Sequence, residues 1–167
     1  MPELLTLDLT VPADSIAHTK SVSFYVQLTE TEQNILCERF MFSKLENVIG
    51  GLTLAKITDG CWELKGQIKA KVTQVCVVSS QPVENSILIK LEERFVHSLS
   101  DQSEIDAMGV DVELLVNGAI PVGETLCQWI GIAAPSWPRA ENAIVLGEPD
   151  PHKGENHPFA RLSELKK

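Results

Sequence analysis

The stretch that decides the fold is WELKGQIKAKVTQVCVVSSQPVENSILIKLEERF, from Trp62 to Phe95. Trp62, Leu64, Ile68, Ala70 and Val72 alternate with Glu63, Lys65, Gln67, Lys69 and Lys71. A period of two marks a half-buried strand, because successive side chains point to opposite faces. Ser79, Ser80, Gln81 and Pro82 break the run. Pro82 has no N–H and cannot stand inside a central ladder. Ile87, Ile89 and Leu91 then resume the alternation against Leu88, Lys90 and Glu92. The stretch therefore reads as two long strands joined by a turn, with Cys76 where the first strand ends.

Upstream, Leu5, Leu7, Leu9 and Val11 alternate with Thr6, Asp8 and Thr10. Pro2 and Pro12 bracket them, so the pattern predicts a short edge strand. Val22, Phe24, Val26 and Leu28 predict a second strand over 21–28. Thr29 with Glu32 three residues on is a capping-box pair, opening a helix to about Phe42. Ile35, Leu36, Cys37, Phe40 and Met41 are expected to face the core. Gly50 and Gly51 interrupt the next run, and Leu52 to Ile57 predict a strand. Asp59-Gly60 then signals a type I′ hairpin turn into Trp62.

Downstream, the polar run SLSDQSEIDAMG predicts a loop, and Val110, Val112, Leu114 and Val116 a further strand. Asn117-Gly118 makes a second turn. Ile120-Pro121-Val122-Gly123-Glu124 opens a helix through Leu126, Trp129, Ile130 and Ala133, which Ala134-Pro135 ends. Beyond Ala140, prolines, glycines and charges predict a mobile linker over about Glu141–His157. Phe159, Leu162 and Leu165 close the chain at helical spacing.

The 167 residues suit one domain over 1–139 followed by a flexible tail over 140–167. A chain this long buries roughly 70% of its unfolded surface and needs no disulfide or metal to hold a core. The formal net charge of −9 disfavours non-specific binding to a polyanion, DNA included, and suits a basic protein partner. No basic region precedes an apolar core at the start, and no run approaches the ~20 apolar residues that cross a bilayer. A cytoplasmic monomer with no membrane contact is the expectation. Cys37, Cys61, Cys76 and Cys127 are then expected to stay reduced.

No nucleophile elbow or phosphate loop is present, and no enzyme activity or cofactor is expected. Cys76, His97, His152 and His157 lack the paired spacing of a zinc site, so no metal is expected. Lys65, Lys69 and Lys71 share one strand face. If the Pro82 turn sets Lys71 opposite Lys90, Lys69 opposes Glu92 and Gln67 opposes Arg94. That face reads first as a solvated sheet surface with cross-strand ion pairs. The sharper reading is a basic patch for RNA phosphates, although the patch lacks an aromatic platform for bases. Trp137, held between Pro135 and Pro138, reads first as packed on the sheet and second as a partner anchor. Lys65, Lys69, Lys71, Lys90, Arg94 and Trp137 are the candidate contact residues.

Four stretches taken in order resemble the YceD family of large ribosomal RNA subunit accumulation proteins. GQIKAKVTQVCVVSSQPVENSILIKLEERF is similar to the family's strand, cysteine, turn and strand signature. NGAIPVGETLCQWIGIAAPSWPR is similar to its Gly-Glu helix start, apolar helix and Pro-x-Pro-Arg. The N-terminal strand, the Thr/Glu-rich helix and DGCWEL follow its order, and NHPFARLSELKK resembles its closing segment. The likeness spans nearly the whole chain. Two departures stand out. Ser79 replaces the second cysteine of the family's C-x-x-C, so the pair on which a metal or redox role would rest is absent. Pro121 occupies a position usually held by Asp, where a first helical turn tolerates it.

The resemblance implies a bacterial, non-enzymatic factor that supports accumulation of large-subunit ribosomal RNA, with a basic ribosomal protein or pre-ribosomal RNA as partner. The rival is a small-molecule-binding domain or enzyme with a pocket between sheet and helices. The expected fold is α+β: a mainly antiparallel sheet of five or six strands with two main helices.

Overall fold

The computed structural model describes residues 2–17, 20–97 and 112–143. In chain order the strands are β1 (Glu3–Leu4), β2 (Val11–Pro12) and β3 (Ser21–Gln27), with a 3-10 turn at Ala13–Ser15. Helix α1 (Glu30–Phe40) precedes three long strands, β4 (Lys44–Thr58), β5 (Cys61–Val75) and β6 (Pro82–Val96). After them come β7 (Val112–Leu114), β8 (Ala119–Ile120) and α2 (Val122–Ala133).

The fold is α+β. The main sheet has six strands in the order β1-β3-β4-β5-β6-β7, and β2 pairs with β8 in a separate ribbon. β3, β4, β5 and β6 form an antiparallel meander, while the short outer strands β1 and β7 pair in parallel. Along β5 the alternation read in the sequence holds: Leu64, Ile68, Ala70 and Val72 are buried, and Lys65, Gln67 and Lys69 are exposed. Leu52 and Leu54 from β4, Phe24 and Val26 from β3, and Ile89, Leu91 and Phe95 from β6 complete the buried face. α1 packs beside β4 and α2 against β6. The other face of the sheet stays in water over most of its area, as antiparallel sheets allow.

The helix ends follow the local chemistry. Thr29 accepts from the Glu32 N–H at 3.3 Å, and Glu32 accepts from the Thr29 N–H at 2.9 Å, closing the capping box. α1 stops at Phe40, two residues short of the expectation, because Met41 turns left-handed at φ 55°. Among its expected core residues only Leu36 is fully buried; Cys37 and Phe40 are half-buried, and Ile35 and Met41 are exposed. A single buried stripe is narrower than the five positions expected, and Met41 lies beyond the helix. Arg39 joins α1 to α2 by a two-pronged ion pair with Glu124, at 2.7 and 2.6 Å.

Other expectations are corrected. The single N-terminal strand is two fragments. Leu5 bonds to the Tyr25 carbonyl at the sheet edge, but the Leu9 carbonyl is taken by the Gly123 N–H at the start of α2. Gly50 and Gly51 do not interrupt a strand; β4 runs through them. A Cβ at Gly50 would strike the backbone of Gln67 and Ile68, and one at Gly66 that of Gly51 and Leu52. Those glycines permit the close approach of β4 and β5. At Asp59-Gly60 only Gly60 has positive φ, so the turn is not type I′, and a register shift lies beside it at 56–58. Asn117 and Gly118 both have positive φ and do make the tight hairpin, with Val116 and Ala119 exchanging hydrogen bonds.

The β5–β6 register differs by four residues from the pairing considered above. Lys71 opposes Ser86, Lys69 opposes Leu88, Gln67 opposes Lys90 and Lys65 opposes Glu92. Pairing begins at Val75–Pro82, so only 76–81 form the turn. Pro82 can start β6 because its missing N–H falls at the first residue. A shift of four preserves parity, and the faces stay as read. The loop expected after Phe95, Val110, the linker beyond Ala143 and the closing Phe159, Leu162 and Leu165 lie outside the described residues.

Candidate contact face

The open face is built from every second residue of the meander. β3 contributes Ser21, Ser23, Tyr25 and Gln27; β4 contributes Lys44, Glu46, Ile49, Gly51 and Thr53. From β5 come Glu63, Lys65, Gln67, Lys69 and Lys71, and from β6 Glu84, Ser86, Leu88, Lys90, Glu92 and Arg94. On β4, β5 and β6 the cations Lys44, Lys65, Lys69, Lys71, Lys90 and Arg94 thus outnumber the carboxylates Glu46, Glu63, Glu84 and Glu92. The chain as a whole carries −9. The face is a positive island on an acidic protein.

Its lysines are not equivalent. Lys65 pairs with Glu63 at 2.5 Å and Lys71 with Glu84 at 2.7 Å, and each carboxylate raises its lysine's pKa. Lys44 pairs with Glu46. Among the described residues Lys69 and Lys90 carry no ion pair. Lys69 stands in a cross-strand row between Ile49 and Leu88, both about half exposed. A shallow cleft of about 510 Å³ opens there, lined by Asn47, Ile49, Lys69, Lys71, Ser86 and Leu88 among others.

The structure brings Lys65, Lys69, Lys71 and Lys90 together. Arg94 shares their face but lies at its covered end, 3.6 Å from the buried Glu63. Trp137 is separate. The residue is 76% exposed, so it does not pack on the sheet. It stands at the β5–β6 turn, where the Val77 N–H donates to the Pro138 carbonyl at 3.0 Å. Sequence reasoning set Leu88 on the side of Lys90 and Glu92 but did not name Tyr25, Ile49 or Leu88 as candidate contact residues. Tyr25 and Leu88 were signalled by apolar residues at polar parity. Ile49 was not, because Gly50-Gly51 read as a break and left it outside the strand predicted from Leu52.

Cys76 occupies the turn between β5 and β6. It is 2% exposed and its sulfur accepts from the N–H groups of Val78 at 3.4 Å, Ser79 at 3.3 Å and Ala140 at 3.3 Å. The Ser79 hydroxyl, then these amides, hold the thiol down from 9.0 to about 6. Burial acts oppositely on Cys127, pushed up to about 11. Ser80 turns left-handed just beyond. The arrangement ties 139–142 to the hairpin and borders a polar cleft of about 560 Å³ that includes Glu84, Arg139 and Glu141. All four cysteines are free. Among the described residues no three metal-ligating side chains gather, and no helix is long and apolar enough to cross a membrane.

No family model, curated protein or solved structure matches the chain.

Proposed function

We propose that this protein is a non-enzymatic factor supporting large-subunit ribosomal RNA accumulation, working through protein or ribonucleoprotein contacts. The reading rests on the resemblance to the YceD family of Gly66–Phe95, of Asn117–Arg139, of the N-terminal strand, helix and DGCWEL, and of the closing segment from Asn156. The observation in the fold that favours a contact role is the water-facing sheet surface, where Lys69 and Lys90 carry no ion pair among the described residues and Ile49 and Leu88 are exposed beside Lys69. An acidic remainder suits a basic ribosomal protein, and the lysine face suits an anionic group. The rival small-molecule reading needs a cleft between sheet and helices; the two clefts described above lie on the open face and at the hairpin turn.

The test is genetic and biochemical together. Deletion should lower mature large-subunit RNA and raise its precursors, and the tagged full chain should capture ribosomal components. Normal RNA levels and precursor pattern after deletion, with no ribosomal component captured, would end the proposal.

A further inference from the structure

We infer that the cleft around Lys69 is a docking site for an acidic, aliphatic segment of a partner protein, with carboxylates and aliphatic side chains on the same side. The inference names the partner chemistry of the same open face and rests on the proposed function only in treating that face as a contact surface.

Three observations choose this occupant. The first is the composition of the row. Ile49 and Leu88 flank Lys69 in adjacent strands, so an ammonium group rises between two exposed aliphatic side chains. A ligand that covers all three needs apolar bulk beside negative charge. The second is spacing. Lys69 opposes Leu88 and Lys90 opposes Gln67, which makes the two lysines diagonal cross-strand neighbours, ~7–8 Å apart at the backbone. An extended peptide repeats its same-side residues every ~6.6 Å against ~4.8 Å between adjacent strands, so a carboxylate set between Lys69 and Lys90 leaves the next same-side aliphatic group within side-chain reach of Ile49 or Leu88. The third is the limited extent of positive charge. Glu84 and Glu92 stand on the same face of β6 on either side of Leu88 and Lys90.

That third point separates the peptide from RNA. Screening at physiological salt acts over about 8 Å. A short ligand at Lys69 and Lys90 has Lys65, Lys71 and Glu92 as its next charged neighbours, each about 7 Å from one of the two, and so sits in a local excess of positive charge. A polynucleotide running along β6 meets Glu84 and Glu92, and beyond them a chain of net charge −9. Nor is there a run of stacking platforms: Tyr25 is the one aromatic side chain on the outward positions of β3, β4, β5 and β6 up to Arg94.

The experiment titrates the full-length protein with a fluorescent peptide repeating Glu-Ser-Leu-Ser, with the same peptide carrying Lys for Glu, and with oligouridylate. The Glu peptide should bind saturably and weaken with salt, and any binding of the Lys peptide to the acidic remainder should not be lost in the variants that follow. Lys69→Glu with Lys90→Glu should weaken binding on the order of tenfold or more. Ile49→Ser with Leu88→Ser should weaken it comparably while leaving charge unchanged. All four side chains are exposed, and circular dichroism with thermal melting checks that each variant is folded. The inference fails if the Glu peptide shows no saturable binding, if either double variant binds it as well as wild type, or if oligouridylate binds as tightly and is lost with the same variants. Peptide binding with unchanged ribosomal RNA after deletion and no ribosomal component captured removes the ribosomal reading and keeps the surface. A deletion phenotype without peptide binding does the reverse.

Discussion

The indole N–H of Trp129 on α2 donates to the carboxylate of Glu93 on β6 at 2.7 Å. Glu93 is 5% exposed and lies on the core side of the sheet, opposite Leu64. A buried carboxylate that loses a donor retains its desolvation cost. Trp129→Phe should therefore lower stability by about 1–3 kcal/mol. Urea unfolding measures it, and a loss no greater than that of an exposed substitution such as Ile132→Ala would contradict the account.

Gly51 and Gly66, diagonal neighbours across β4 and β5, should differ in their response to a methyl group. Gly66→Ala forces a Cβ into the Gly51 carbonyl and the Leu52 backbone, whereas the nearest atom to a Cβ at Gly51 is the Phe24 carbonyl oxygen at 3.6 Å. Gly66→Ala should cost about 1–3 kcal/mol, the range for overpacking. Gly51→Ala should stay within about 0.5 kcal/mol of wild type. Equal melting temperatures for the two variants would show that the close approach is not rigid.

Met41 is 88% exposed and sits at φ 55° just past α1. A left-handed residue with a Cβ costs roughly 1–2 kcal/mol, of which glycine's greater freedom in the unfolded chain offsets part. Met41→Gly should raise stability by about 0.5–1 kcal/mol. A fall in thermal midpoint would mean that Met41 makes a contact worth more than its strain.

The Cys76 thiol titrates at about 6 in the fold against an ordinary 9.0. A lowered pKa means that the unfolded chain binds the proton more tightly, so folding gains from this group as pH rises. The gain is complete above the unfolded value and vanishes as pH falls through the folded one. The stability difference between wild type and Cys76→Ala should therefore widen between pH 6 and pH 9, the interval bounded by the two values. Denaturant titrations across that interval test it, and a constant difference would mean that the sulfur is not ionised in the fold.

Much of the site followed from the letters. Lys65, Lys69, Lys71 and Lys90 were grouped by parity, and parity survived a register four residues from the one considered. Which lysine stays unpaired was only partly legible: Glu63 and Lys65 stand two apart on one strand face, but the partner of Lys71 depends on who stands opposite whom. With Lys71 opposite Ser86, the Glu84 carboxylate falls diagonally within reach of Lys71, and Lys69 is left beside Leu88. The exposure of Trp137 was equally hidden, since two prolines fix a backbone but do not say what lies beside it.

By itself the sequence determined the period-two strands, the capping box at Thr29 and Glu32, the Asn117-Gly118 turn and the α+β class. Each depends on residues near one another in the chain: alternation on the pleat, a cap on one helical turn, a hairpin on two backbone dihedral pairs. Only the tertiary structure decided the passage of β4 through Gly50-Gly51, the division of the N-terminal run between the sheet edge and α2, and the positive island on the open face. Those depend on a second segment distant in sequence. Gly50 reads as a break until Gln67 and Ile68 are seen against it, and Leu9 reads as strand until Gly123 takes its carbonyl.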